Sequence, residues 1–148
     1  MMKNEIKTPS IKIVNQIEAI HSFIVFPEDL NYVGSLFGGK VLAEMDLTAA
    51  KATRRLLYGT DCDGAVTASL DKVDFKKPAH LGDIIELKAQ IKKLGRTSIE
   101  IYVHVSKENQ QGLVETICNA TFVFVSLKAG VPNPHYCMLG IKETHQLN

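Results

Sequence analysis

The chain has no continuous apolar run long enough to cross a bilayer. Lys3, Glu5, Lys7, Lys12 and Glu18 break up the first twenty residues, so no signal-peptide core stands there, and no later segment approaches the length of a span. A cytoplasmic protein without a membrane partner is expected. Charge of one sign is also missing: 17 Lys and Arg against 16 Asp and Glu leave a net +1. That balance, with 45% hydrophobic residues, argues against disorder and against a broad nucleic-acid-binding face. Lys72, Lys76, Lys77, Lys92, Lys93 and Arg96 cluster mid-chain, as a solvated face or a local phosphate site. Cysteine is scarce and odd in number. Cys62, Cys118 and Cys137 lack the close spacing of a redox or zinc motif, which favours a reducing compartment. There is no Gly-x-Ser-x-Gly elbow and no histidine pair at metal-ligand spacing, so serine-esterase and metal chemistry are not expected. His21, His80, His104, His135 and His145 are scattered and read as surface or turn residues. Cys118 reads as a small core residue, so Cys-His chemistry is disfavoured.

No composition shift or Ser/Pro-rich linker divides the 148 residues, and one domain of this length buries a real core. The domain is expected to run over 1–148, with an N-terminal extension of about 1–14 and an irregular tail of about 130–148 that follows Gly130 and contains Pro132 and Pro134. Ile17 to Phe26 reads as a strand ended by Pro27 and a polar turn. From Gly38 to about Tyr58 the apolar spacing becomes helical through Leu42, Met45, Ala49, Ala52 and Leu56, with Gly59 in the capping position. Strands are predicted over Ala65–Phe75, Ile84–Lys93, Thr97–Val105 and Leu113–Leu127, separated by turns at Lys76–Pro78, Gly82–Asp83, Gly95 and Lys107–Gly112. Strands joined by short turns favour an antiparallel sheet, and one long apolar helix must be covered by its concave face. An edge strand is then left for a second copy to close.

Two features of the helix ask for an explanation. Gly34-Ser35-Leu36-Phe37-Gly38-Gly39-Lys40 imitates a phosphate-binding Walker loop, yet Val41 stands where the magnesium-binding Ser or Thr belongs, and no parallel strand–helix series follows. The glycines remain informative, because small residues at a helix start expose backbone N–H groups to an anion or a polarised carbonyl, or simply permit a tight turn. Asp46 falls on or beside the apolar stripe of a helix expected to be wrapped by sheet. An acid there is paired at the stripe's border or does chemistry. Asn31 is a turn residue or a second polar contributor.

Taken together, Pro27-x-Asp29-x-Asn31-x-x-Gly34-x-x-Phe37-Gly38-Gly39 and Met45-Asp46 resemble the signature of hotdog-fold acyl-CoA thioesterases, in particular the brain-type acyl-CoA hydrolases and their single-domain bacterial relatives. The resemblance continues through Val73-Asp74-Phe75-x-x-Pro78, Gly82-Asp83, Gly95-Arg96-Thr97-Ser98 and Phe122 to Val125, over roughly residues 15 to 135. It implies an α+β hotdog fold, with an antiparallel sheet of about five strands wrapped around one long central helix. It implies hydrolysis of an acyl-CoA to free acid and coenzyme A, with no cofactor, since coenzyme A is part of the substrate. Asp46 would be the catalytic carboxylate, Asn31 would help place the thioester or water, and the amides near Gly38 and Gly39 would polarise the carbonyl. Arg96, Thr97, Ser98 and Lys77 match the coenzyme A path. A homodimer with composite sites, further assembled as a trimer of dimers, is implied too. Helix rise supports sharing between chains: Asp46 lies about 12 Å along the helix from Gly38, too far to serve a carbonyl held there by its own chain. The rival readings are a non-catalytic acyl-CoA sensor, expected to have lost the acid or gained a regulatory domain, and a hotdog hydratase or dehydratase, expected to pair a histidine with its carboxylate.

Overall fold

Ile99, Ile101, Val103 and Val105 are completely buried while the residues between them are half-exposed, the period of two that puts one face of a strand on a core. The computed structural model describes residues 16–135. Its elements are strand β1 (Glu18–Ile24), a one-turn 3-10 helix (Pro27–Asp29), helix α1 (Gly38–Leu57), and strands β2 (Gly64–Phe75), β3 (Ile84–Leu94), β4 (Ser98–Glu108), β5 (Val114–Lys128) and the two-residue β6 (Val131–Pro132). The sheet order is β1-β3-β4-β5-β2, with β6 on β5, and every pairing is antiparallel. A phosphate loop of the Walker type therefore has no parallel strand to follow.

Helix α1 lies on one face of this sheet and buries Val41, Met45, Thr48, Ala49, Ala52, Thr53, Leu56 and Leu57. Ala49 and Ala52 are fully buried, so the backbone comes close to the strands beneath, and a larger side chain at either position overpacks the contact. The helix ends at Tyr58, followed by Gly59 with φ +80°, the left-handed conformation that glycine adopts without a Cβ penalty. Phe122, Leu87, Ile85 and Met45 anchor the core.

The sheet packs on one long helix as expected, with Leu47, Arg54 and Arg55 on the exposed side, and Asp46 lies beside the buried stripe, half-buried. Two expectations are corrected. The tail is not irregular from residue 130: β6 pairs with β5 at Leu127 and Lys128. His135, expected at the surface, is buried, with its N–H donating to the Arg96 carbonyl and its Nε2 3.2 Å from the Ser98 carbonyl. The extension of about 1–14 and tail residues 136–148, with Cys137 and His145, lie outside the described residues.

The two sheet edges differ. Ala19 of β1 is buried and His21 and Phe23 are half-covered, whereas β2 contains no buried residue and exposes Val66, Leu70, Val73 and Phe75. Register shifts interrupt β2 between Thr67 and Ser69 and between Asp71 and Asp74. Within the second, Lys72 takes φ +53° and its N–H is held by the Asp71 carboxylate at 2.8 Å. Such bulges re-aim side chains along an edge.

Candidate active site

The Asp46 carboxylate projects from α1 toward β2, where Oδ1 accepts a 2.5 Å hydrogen bond from the Thr67 hydroxyl. Thr67 pairs opposite Phe124 in the ladder. A threonine in a strand carries no signal of its own in the sequence; only the register of β2 against α1 brings Thr67 to the acid. One carboxylate oxygen is thus fixed, and the other retains its lone pairs for a water or a carbonyl carbon.

At the other end of this flank the helix start is uncapped. Phe37 is the N-cap residue and supplies no side-chain bond. Its N–H donates to the Asp29 carbonyl, and its own carbonyl accepts from Lys40 and Val41. The Gly38 and Gly39 N–H groups have no protein acceptor among the described residues, and they sit at the positive end of the helix dipole. A Cβ on Gly39 would lie 2.5 Å from the Phe37 ring, so that position admits no side chain unless the ring moves. Gly38 faces Phe75 at ordinary contact distance, beside a cleft of about 290 Å³ bounded by Leu36, Phe75, Lys77 and Cys118.

Asn31 organises the loop before the helix. Its Oδ1 accepts from the N–H groups of Val33 and Ser35, and its Nδ2 donates to Ser35 Oγ at 3.0 Å. The turn role is real, and it leaves one amide hydrogen uncommitted. Lys77 borders the cleft and bonds Glu115 at 3.0 Å, which holds that carboxyl below the usual range. Arg96, Thr97 and Ser98 sit at the opposite end of the sheet, where Ser98 pairs with Val125 and Val125 with Val66. A single chain therefore brings Gly38, Gly39 and Lys77 to one place, Asp46 and Thr67 to a second, and Arg96 to Ser98 to a third. Cys118 takes no part: it packs on Met45, and burial pushes its thiol up to about 11. Among the described residues no cluster of acids, histidines and cysteines could hold a metal ion, and no helix is long and apolar enough to cross a membrane.

A model of the thioesterase superfamily matches residues 33–114, from the Asn31 loop through the helix to the β4–β5 hairpin. The chain belongs to the thioesterase superfamily. Among its relatives, a Bacillus subtilis protein named as an uncharacterized acyl-CoA thioester hydrolase is 33% identical over 134 residues, 86% of this chain and 73% of that one. A solved apo-hexameric acyl-CoA thioesterase superposes with TM-score 0.74 at 36% identity, over 82% of this chain and 76% of that one. A Staphylococcus aureus acyl-CoA hydrolase in which an asparagine is replaced by alanine, solved in complex with coenzyme A, gives 0.73 at 28% identity, over 82% and 71% of the two chains. Further structures of that enzyme replace an aspartate or a threonine by alanine. This thioesterase-superfamily chain shares their fold: one long helix on an antiparallel sheet.

Proposed function

We propose that the protein hydrolyses acyl-CoA thioesters to a free acid and coenzyme A, at a site completed by two copies of the chain. The observation that carries the reading is Asp46, fixed by Thr67 at the bare β2 edge and separated from the uncapped helix start of its own chain. The relatives named above are acyl-CoA hydrolases, and the asparagine and aspartate substituted in the S. aureus structures are fifteen residues apart, the separation of Asn31 and Asp46.

A second copy pairing antiparallel along β2 puts the Gly64–Thr67 end of one strand beside the Lys72–Phe75 end of the other. Phe75 contacts Gly38, so the pairing sets one chain's Gly38 and Gly39 near the partner copy's Asp46 and Thr67. It also covers the exposed Val66, Leu70 and Val73. Two equivalent sites per dimer follow, and hexameric relatives agree with further assembly into a trimer of dimers.

In such a site the Gly38 and Gly39 amides polarise the thioester carbonyl and stabilise the oxyanion. Asp46 removes a proton from water as its oxygen bonds to the carbonyl carbon; the intermediate collapses, the carbon–sulfur bond breaks, and the thiolate leaves and takes up the proton. Alternatively Asp46 attacks the carbon itself, giving an anhydride that water then opens. The reaction consumes only acyl-CoA and water, so no cofactor is needed. Lys77, together with Arg96, Thr97 and Ser98 of the other copy, lies on the side assigned to coenzyme A.

Thiol release from a panel of acyl-CoAs, with Asp46→Asn as control, tests the hydrolase reading. Binding without release from any chain length would make the protein a sensor. Oxygen-18 entering Asp46 after one turnover in labelled water would identify direct attack, with the anhydride opened at the Asp46 carbonyl.

A further inference from the structure

A second cavity, of about 440 Å³, opens where the C-terminal half of α1 meets the start of β2, and it is bounded by Ala50, Thr53, Leu57, Cys62, Ala65 and Phe124. At 100° per residue, Ala50, Thr53 and Leu57 lie within about 40° of Asp46 around the helix, so the cavity continues the face that carries the acid. It begins about one turn beyond Asp46 and ends about 16 Å from it, at Leu57. Its polar members make no demand on a ligand. The Thr53 hydroxyl donates to the Ala49 carbonyl, leaving its methyl to the cavity, and the Cys62 thiol is within hydrogen-bonding reach of the carbonyls of Asn133 and Pro134. Charge is confined to the rim, where Arg54 and Asp63 are exposed.

Resting on the hydrolase reading, we propose that this cavity receives the acyl chain of the thioester attacked by the same protomer's Asp46, and that it selects chains of medium length. An extended hydrocarbon advances about 1.3 Å per carbon for C–C bonds of about 1.5 Å, so the cavity from Ala50 to Leu57, about 10 Å long, takes about eight carbons and the whole span from Asp46 about twelve. Ala50 is the doorway. A larger residue there closes the path between the acid and the cavity, while Gly64, whose added Cβ meets nothing within 4 Å, offers a second place to fill the same space from the strand side.

Non-hydrolysable S-alkyl coenzyme A thioethers from ethyl to hexadecyl, titrated into the wild-type protein by calorimetry, read the cavity directly. Affinity should rise about fourfold per added carbon while the chain is being buried, then level off at about eight to twelve carbons. Ala50→Leu and Gly64→Val should each move the plateau to shorter chains and lower the octanoyl-to-acetyl ratio of kcat/KM at least tenfold. An affinity flat from ethyl onward, or a plateau and ratio unmoved in both folded variants, overturns the proposal even if thiol is released normally. A chain-length ladder without thiol release from any acyl-CoA overturns the hydrolase reading and leaves the cavity assignment standing.

Discussion

The two flanks of α1 each present an acid, and the acids are treated in opposite ways. On the β1 flank Glu44 is locked: Oε1 takes the Lys40 ammonium at 2.8 Å, and Oε2 stands 3.1 Å from His21 Nε2. Lys40 also approaches Asp29 at 3.8 Å and lies 5.3 Å from the centre of the Phe23 ring, and the hydrogen bond to Glu44 holds its ammonium above the ordinary lysine range. On the β2 flank Asp46 meets one neutral hydroxyl. A carboxylate bonded to Lys40 and close to the His21 ring sits between the helix, β1 and the Asn31 loop. The carboxylate at the bare β2 edge is held by a hydroxyl and has no cation in contact with it among the described residues. A single residue, Met45, separates them in sequence, and they face opposite flanks.

The largest contrast should come from removing each charge in turn. Asp46→Asn should lower kcat/KM for acyl-CoA by about 10²- to 10⁴-fold, the usual weight of a general base, whereas Glu44→Gln should alter it only a few-fold; equal losses would erase the distinction. The edges should differ next. If copies pair along β2 as proposed, Leu70→Asp on β2 should give a monomer in sedimentation and abolish thiol release, while Ile20→Asp on β1, a comparably exposed position, should leave the proposed dimer intact. Stability should then invert the order of the acids. Glu44→Ala removes the Lys40 hydrogen bond and the His21 contact and should cost up to about 1 kcal/mol in urea unfolding, while Asp46→Ala, at the border of the core, should cost less. Thr67→Val should reduce turnover about tenfold, equivalent to about 1.4 kcal/mol, through loss of the one hydrogen bond that orients Asp46.

Beneath both flanks Cys118 serves as a common reference. Its folded pKa of about 11 exceeds the ordinary 9.0, so the neutral thiol is favoured in the folded state. The stability this contributes is complete below pH 9 and is lost as pH rises from 9 through 11. Cys118→Ala should flatten the alkaline limb of the unfolding profile, and a limb identical to wild type would remove burial of this thiol as its cause.

Much of the fold was legible because short turns and alternating strands leave few arrangements. The alternation of Ile99 to Val105, the Gly59 cap and the breaks at Pro78 and Gly82 each act locally, and each element came out within a few residues of its expected bounds. Within the expected tail, residues 131–135 are ordered where Pro132 and Pro134 suggest irregularity, because the Asn133 carbonyl accepts from the Ser126 hydroxyl at 2.6 Å and His135 reaches β4, a contact 37 residues away in sequence. At the site, Asp46 stood out by its position in the helical period, and the glycines by their place at the helix start. Glu44 and Thr67 did not stand out, since an acid on a helix and a threonine in a strand are ordinary until their neighbours are known.

Sequence alone determined the order of elements, the slim alanine face of α1, the glycines at its start and the distance along the helix from them to Asp46, because these depend on residue spacing and backbone geometry. Tertiary structure decided which acid is paired beside β1 and which is held by Thr67, that β2 is the bare edge, and that a cavity continues the Asp46 face. Those properties depend on strand register and on which elements meet across the sheet, and no local pattern encodes either.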